Sequence, residues 1–174
     1  MGVAGLLIST KYEEIYPPEL RDLLAVSENK FTRDQVLKKE KEILNTLEFK
    51  ITAPSAYRFL ERYRRLSPIF EDKEVFFFAQ YILEVSLLDI TLMRFKPSEL
   101  AAAALILSCK QLKKIDCWNP EIVRFTQYNK SDLQNAITEV RQFLVEINPK
   151  FISTLKYKFS KPEYMKVANY EFKF

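Results

Sequence analysis

Residues 4–11 read AGLLISTK and residues 103–110 read AALILSCK, so one apolar segment that ends in lysine occurs twice in the chain. The pattern then continues in the same order. PEL at 18–20 matches PEI at 120–122, and Val36 and Leu47 match Leu133 and Leu144. The offset stays near 100 residues. We interpret the chain as a duplicated helical unit, in which each copy has an apolar helix, a short helix and a longer amphipathic helix.

Composition favours helices over the whole chain of 174 residues. Two glycines are present against abundant Leu, Ile, Ala, Glu and Lys, and eight prolines separate the apolar segments. Proline is well tolerated in a first helical turn, and Thr32 is a typical N-cap residue. We predict helices over residues 3–12, 18–26, 32–47, 54–66, 73–88, 97–114, 120–126 and 131–147.

The predicted organisation is all-α, with two helical bundles. Residues 1–52 are expected to form three helices of a first bundle, residues 53–150 the five helices of a second, and residues 151–174 a basic and aromatic tail that packs on the bundle. The two helices predicted between Pro54 and Leu88 have no counterparts before Met1, so we expect the first bundle to be incomplete and to expose part of its core face.

Several function classes are excluded by what the sequence lacks. There is no histidine, which removes Ser-His-Asp and Cys-His catalysis and His-ligated metals. Gly2 and Gly5 cannot build a phosphate-binding loop, and Cys109 and Cys117 match no zinc or redox spacing. No apolar run approaches the roughly 18–20 residues that span a bilayer. We predict a soluble intracellular protein that is not an enzyme, uses no cofactor or metal, and acts by contact.

Glu40 stands where a hydrophobic residue is expected. At 100° per residue it falls about 40° from Val36, inside the apolar stripe of helix 32–47. The matching residue of the second copy is Ile137. A carboxylate in such a stripe is costly unless it is paired. Lys11, at the end of the apolar helix of the same copy, is a suitable partner, so we predict a partly desolvated Lys11–Glu40 pair presented to another molecule. A purely structural salt bridge is the alternative interpretation.

Longer motifs carry a family resemblance. KYEEIYPPEL at 11–20, FTRDQVL at 31–37, EKEIL at 40–44 and LEFKI at 47–51 resemble cyclins, specifically the mitotic A/B type. FKPSELAA at 95–102 and KYKF at 156–159 are similar to features of the second cyclin box and the tail. The resemblance covers most of the chain. It implies tandem cyclin boxes of normally five helices each, the first of them truncated at its N-terminal side.

The resemblance also implies a partner, a cyclin-dependent kinase, in a heterodimer found in the nucleus and cytoplasm. In that family the residues matching Lys11 and Glu40 hydrogen-bond backbone groups near the kinase's mobile helix. Positions matching Phe49 and Ile51 supply apolar contacts, and those matching Glu13, Glu14 and Ile15 lie near the activation loop. The implied activity is allosteric activation of the kinase that controls mitotic entry. For Phe49 and Ile51 ordinary core packing stays open, and for Glu13 and Glu14 a solvated helix end.

The departures from the family pattern leave a second function open. Mitotic cyclins carry an N-terminal helix, two further first-box helices with a Met-Arg-x-x-Leu motif and a degradation signal before the position of Met1. We expect these, and with them most of the substrate-docking groove, to be missing. The chain could then bind a kinase without activating it, or bind none.

A nucleic-acid-binding module of the same helical type is a further alternative. Four arginines lie between residues 58 and 65, and the tail interleaves basic and aromatic side chains, which would suit phosphates and stacking. The competing interpretation is that the tail aromatics dock on the bundle while the lysines stay in water. The residues concerned are Arg58, Arg62, Arg64, Arg65, Lys156, Lys158, Lys161, Lys166, Lys173, Tyr157, Phe159, Tyr164, Tyr170, Phe172 and Phe174.

Overall fold

The protein is built from helices. The computed structural model describes residues 1–172. Within that range it contains α-helices and short 3-10 helices and no β-strand, which confirms the prediction of an all-α fold. The α-helices are α1 (Gly2–Glu13), α2 (Leu20–Val26), α3 (Arg33–Thr46), α4 (Ala56–Leu66), α5 (Lys73–Ser86), α6 (Pro97–Gln111), α7 (Pro120–Thr126), α8 (Gln134–Glu146) and α9 (Ser153–Phe159).

The chain divides into two compact units, Met1–Ala53 and Pro54–Phe174. In the first unit α1 packs against α3 and α2. In the described part of the second unit α6 packs against α4, α5 and α8. The order of apolar, short and amphipathic helices in α1–α3 thus recurs in α6–α8, as the repeat predicts.

The two apolar helices of the repeat differ in how far they are covered. Helix α6 is buried on almost every side, because α4 and α5 cover the faces that α8 leaves free; its buried residues are Ala101, Ala102, Ala103, Ala104, Leu105, Leu107, Ser108 and Cys109. Helix α1 buries Ala4 and Leu7, and these join Leu23 and Val36 in a small core. Leu6 stays exposed. The first unit therefore keeps part of the apolar surface of α1 accessible.

Three helix starts differ from the prediction by two residues or more. Helix α2 begins at Leu20, because Glu19 is extended and serves as the N-cap, so Pro18 lies outside the first turn. Helix α4 begins at Ala56 after an extended Ser55, rather than at Pro54. Helix α8 begins at Gln134, since residues 130–133 form a turn. A proline fixes its own backbone dihedral and restrains the residue before it, but neither effect commits the next residues to a helix.

The tail contributes to the core of the second unit over its described part, up to Phe172. Phe159 at the end of α9 is fully buried and lies against the ring of Tyr81, with 5.1 Å between the ring centroids. Val167 and Ala168, in a 3-10 helix, are also buried. Weak periodicity in this segment hid the seven-residue helix α9, about two turns long, from sequence analysis.

None of the helices in the described range is both long and apolar enough to cross a bilayer.

Candidate functional site

Helix α3 is fixed at its start by a capping box. The hydroxyl of Thr32 accepts a hydrogen bond from the backbone N–H of Gln35 at 3.3 Å, and the Gln35 side chain accepts one from the Thr32 N–H at 2.9 Å. Asp34 lies in the first turn, where the helix dipole favours an acid. This start sets the rotation of α3, so that Val36 is buried against the first unit's core.

One turn after Val36, Glu40 reaches across to the end of α1. Its Oε1 accepts a hydrogen bond from Nζ of Lys11 at 2.8 Å, which confirms the predicted pair. The two partners differ in exposure: the Lys11 side chain is 50% exposed and the Glu40 side chain is 13% exposed. The carboxylate is therefore largely shielded, while the ammonium group stays open to another molecule.

Another acid of the same helix behaves differently. Glu42 is exposed and accepts a hydrogen bond from Lys39 at 2.6 Å on the outer face of α3. That hydrogen bond, together with the charge of Lys39, lowers the pKa of the Glu42 carboxyl. The outer side of α3 thus carries an exposed Lys39–Glu42 ion pair, to which Glu40 does not belong.

The connector after α3 turns sharply and presents an aromatic side chain. Glu48 and Phe49 both have left-handed backbone conformations, with φ of 49° and 57°. The turn is held by the N–H of Phe49, which donates to the Leu44 carbonyl at 2.9 Å. The Phe49 residue is 65% exposed, so core packing does not account for it, whereas Ile51 is half-buried.

A hydrogen bond that sequence analysis missed ties this connector to α1. The hydroxyls of Tyr12 and Thr52 lie 2.8 Å apart. Tyr12 directly follows Lys11, and Thr52 directly follows Ile51. The bond therefore joins the two segments that carry the predicted residues, and both hydroxyls are exposed. No local sequence pattern signals a contact over 40 residues between two surface hydroxyl groups.

Three predicted residues lie where α1 ends. Glu13 is the last residue of α1, and Glu14 is its extended C-cap, whose N–H donates to the Thr10 carbonyl at 2.9 Å. Ile15 follows and is 87% exposed. An aliphatic side chain so exposed is not held by the core.

The arginines considered for nucleic acid are partly engaged within the second unit. Nε of Arg64 donates to the Phe70 carbonyl at 2.8 Å, and its guanidinium lies 4.6 Å from the ring centroid of Phe76. The guanidinium of Arg62 lies 4.8 Å from the ring centroid of Phe125. Arg58, Arg62 and Arg65 are exposed, and Arg58 pairs with Glu61 at 3.3 Å. These cation–π contacts favour a packing role for two of the four.

The tail behaves similarly. Lys158 donates to both carboxylate oxygens of Glu84 at 2.8 Å, and the ring of Tyr164 packs on Phe77. Tyr157 remains exposed. Lys173 and Phe174, also considered for nucleic acid, lie outside the described residues. No trio of His, Cys, Asp or Glu side chains between residues 1 and 172 is placed to hold a metal ion.

Comparison with known proteins agrees with this architecture. Residues 1–52 match the family model of the cyclin N-terminal domain, and residues 54–173 match that of the cyclin C-terminal domain. Cyclin-A1-4 of Oryza sativa subsp. japonica is 37% identical over 172 residues, which are 97% of this chain and 48% of that protein. Cyclin-A2-4 of Arabidopsis thaliana is 30% identical over 97% of this chain and 37% of its own length.

A B-type relative is also similar. G2/mitotic-specific cyclin-B of Spisula solidissima is 28% identical over 97% of this chain and 39% of its own length. The chain thus spans less than half the length of these curated relatives. Because the two cyclin-domain models match almost end to end along the sequence, the resemblance to A- and B-type cyclins is confirmed, and the chain belongs to the cyclin family.

Proposed function

We propose that this chain is the regulatory subunit of a cyclin-dependent protein kinase, with which it forms a heterodimer. It binds the kinase through the end of α1, the shielded face of α3 and the connector after it, and it controls entry into mitosis from the nucleus and cytoplasm. The observation that carries the proposal is the Lys11–Glu40 pair, a largely shielded carboxylate held at 2.8 Å by a half-exposed ammonium group.

The geometry suits recognition of polypeptide backbone. The Lys11 ammonium has three N–H donors and uses one of them in the hydrogen bond to Glu40, so the others can donate to carbonyl groups of a partner. Glu40 has a second oxygen that can accept from a partner N–H. Hydrogen bonds with a charged group are roughly twice as strong as neutral ones. Held in one orientation by the pair, both groups lose little side-chain entropy on binding.

Exposed apolar side chains around the pair would supply the rest of the interface. Phe49 on the connector and Ile15 after α1 are both highly exposed. Aromatic anchors surrounded by a polar rim account for most binding free energy in protein interfaces. Ile51, half-buried and next to the Tyr12–Thr52 hydrogen bond, would extend the contact.

The action is allosteric and requires no chemistry on this chain. A protein kinase is active when its strand lysine pairs with a glutamate on a mobile helix and its activation loop is open. A partner that binds this arrangement more tightly than the inactive one shifts the population towards it. Moving the equilibrium from 1:99 to 99:1 requires a difference of about 5.5 kcal/mol in binding free energy.

The test is capture of purified cyclin-dependent kinases by the full chain, followed by a histone phosphorylation assay. Glu40→Ala and Lys11→Ala should each weaken capture at least about tenfold, in line with a central interface position. Glu42→Ala is the matched control, since Glu42 is an acid of the same helix paired with Lys39 on the outer face. If Glu40→Ala and Lys11→Ala bind as well as the parent, this face is not the docking site. Capture without phosphorylation would leave the docking face in place and remove the activating role.

A further inference from the structure

The second unit carries an apolar cavity that the proposed kinase face does not use. Leu88, just after α5, lines it together with Phe143, Ile147 and Phe151, and its volume is about 360 Å³. Ligand pockets in proteins are typically about 300–1,000 Å³. Leu88 is 51% exposed and Phe151 is 76% exposed, although both are large and apolar. Their exposure makes this cavity a candidate interaction site.

An acidic groove adjoins the cavity and shares Phe143 with it. Three carboxylates, those of Asp89, Glu139 and Glu146, line this groove, whose volume is also about 360 Å³. The helical repeat explains the arrangement: Glu139, Phe143 and Glu146 are spaced four and three residues apart, so they share one face of α8. Asp89 follows Leu88 directly in the chain. Apolar and acidic linings therefore meet at one aromatic ring.

The negative charge of the groove is only partly compensated. Arg94 donates to Glu139. Asp89 accepts from the N–H and the hydroxyl of Thr91, both at 2.8 Å, and Glu146 accepts from the Gln142 amide at 2.9 Å. Within residues 1–172 neither Asp89 nor Glu146 forms an ion pair. Two carboxylates thus remain available to cations beside an open apolar cavity.

We propose that these two cavities, together the Phe143 groove, bind a short segment of another protein that combines bulky apolar side chains with neighbouring Lys or Arg. The apolar side chain would fill the space between Leu88 and Phe151, and the basic side chains would pair with Asp89 and Glu146. Charge complementarity selects this occupant. An acidic segment would be repelled by the carboxylates, and a purely apolar segment would desolvate them without offering a partner. The site is in a different unit from the kinase face and does not depend on it.

The experiment uses the full chain labelled with ¹⁵N and a fluorescein-labelled ten-residue peptide in which two arginines precede leucine and phenylalanine. Backbone shifts at Leu88, Phe143 and Phe151 should move on addition of the peptide. The affinity should fall as salt is raised, since exposed charge pairs are screened. Two matched peptides, one with the arginines replaced by glutamates and one with the apolar pair replaced by serines, should bind at least about tenfold more weakly.

Variants of the chain distinguish binding at this site from nonspecific binding. Phe151→Ser and Glu146→Lys should each weaken binding at least about tenfold, and because Phe151 is so exposed its change leaves the core intact. Val145→Ser and Glu121→Lys, at an exposed apolar residue and an exposed acid outside the groove lining, should leave binding unchanged. The proposal is overturned if millimolar peptide moves no signals of the Phe143 groove, or if the glutamate peptide binds equally well. It is also overturned if these signals move with protein concentration alone, because the groove would then bind a second copy of the chain.

Discussion

Glu40 in α3 and Ile137 in α8 occupy the same place in two equivalent helices, each four residues after a buried aliphatic residue that packs on its unit's core, Val36 in one case and Leu133 in the other. Ile137 packs against the core of the second unit. Glu40 is similarly shielded but pairs with Lys11. Ile137 thus shows that a hydrophobic residue satisfies the structural requirement of this position.

This relationship predicts that Glu40→Ile separates stability from binding. Replacing a partly buried ion pair by a well-packed hydrophobic residue is often neutral or stabilising. We expect the opening free energy of the α3 amides, measured by hydrogen exchange, to stay within about 1 kcal/mol of the parent value or to rise. Kinase capture should be lost. A fall in protection of more than about 2 kcal/mol would show that the pair is mainly structural.

A substitution at Phe49 also separates stability from kinase binding, because the left-handed backbone of this residue suits glycine. Phe49→Gly removes the exposed ring while relieving a conformation that costs a non-glycine residue about 1–2 kcal/mol, offset by the greater freedom of glycine in the unfolded chain. We expect unchanged exchange protection at the end of α3 and at least about tenfold weaker kinase capture.

The control for this change is the preceding residue. Glu48 has nearly the same backbone conformation, with φ of 49° against 57° for Phe49. Glu48→Gly makes the same backbone alteration without removing an aromatic ring, so capture should be retained. Equal loss of capture in both variants would assign the effect to the turn and not to the ring.

Local patterns predicted helices α1–α8 and the Lys11–Glu40 pair because both follow from helical spacing, whereas the weakly periodic α9 was missed. The apolar period and the repeat locate α1 and α3, and two residues on facing sides of adjacent helices are brought together by the same period. The capping box of Thr32 and Gln35 was also readable as a Thr-x-x-Gln signature, although only Thr32 was predicted as a cap.

Other features depend on contacts that the sequence does not encode locally. The left-handed turn at Glu48 and Phe49 contains no glycine or asparagine that would have indicated it in the sequence. The Tyr12–Thr52 hydrogen bond forms only because the connector returns alongside α1. The Phe143 groove joins the end of α5 to α8, and no single segment shows it. Pro18 and Pro54 precede α2 and α4 without lying in their first turns, because a proline does not commit the residues after it to a helix.

The capping box predicts the cost of Thr32→Ala. Loss of an N-cap hydroxyl costs typically about 1 kcal/mol, and a unit with a small core has little to compensate it. We expect the first-turn amides of α3 to lose about that much protection in hydrogen exchange. Ser55→Ala is the matched control, because Ser55 is the N-cap of α4 and its side chain makes no capping hydrogen bond. Similar losses at both helices would mean that the hydroxyl of Thr32 does not stabilise α3.

The start of α5 should make the stability of the second unit depend on pH. Burial disfavours the charged form of Asp72, but the Val75 N–H at 3.1 Å and Lys114 at 3.0 Å outweigh it and hold the pKa of this carboxyl below its usual value. A carboxyl with a lowered pKa stabilises the folded state fully above its unfolded pKa of about 3.9, and this contribution disappears as the pH falls through the folded value.

Asp72→Asn isolates that contribution, since asparagine caps a helix about as well as aspartate but carries no charge. We expect a lower urea midpoint than the parent at pH 5–7, with the difference shrinking as the pH falls below about 4 and vanishing only once the pH is below the lowered folded-state pKa of Asp72. Fluorescence of Trp118, which is buried in the second unit against Tyr63, reports the transition. Glu71→Gln, at the exposed preceding residue, should leave the midpoint unchanged. A midpoint difference that persists unchanged to pH 3 would show that the Asp72 charge is not what stabilises the start of α5.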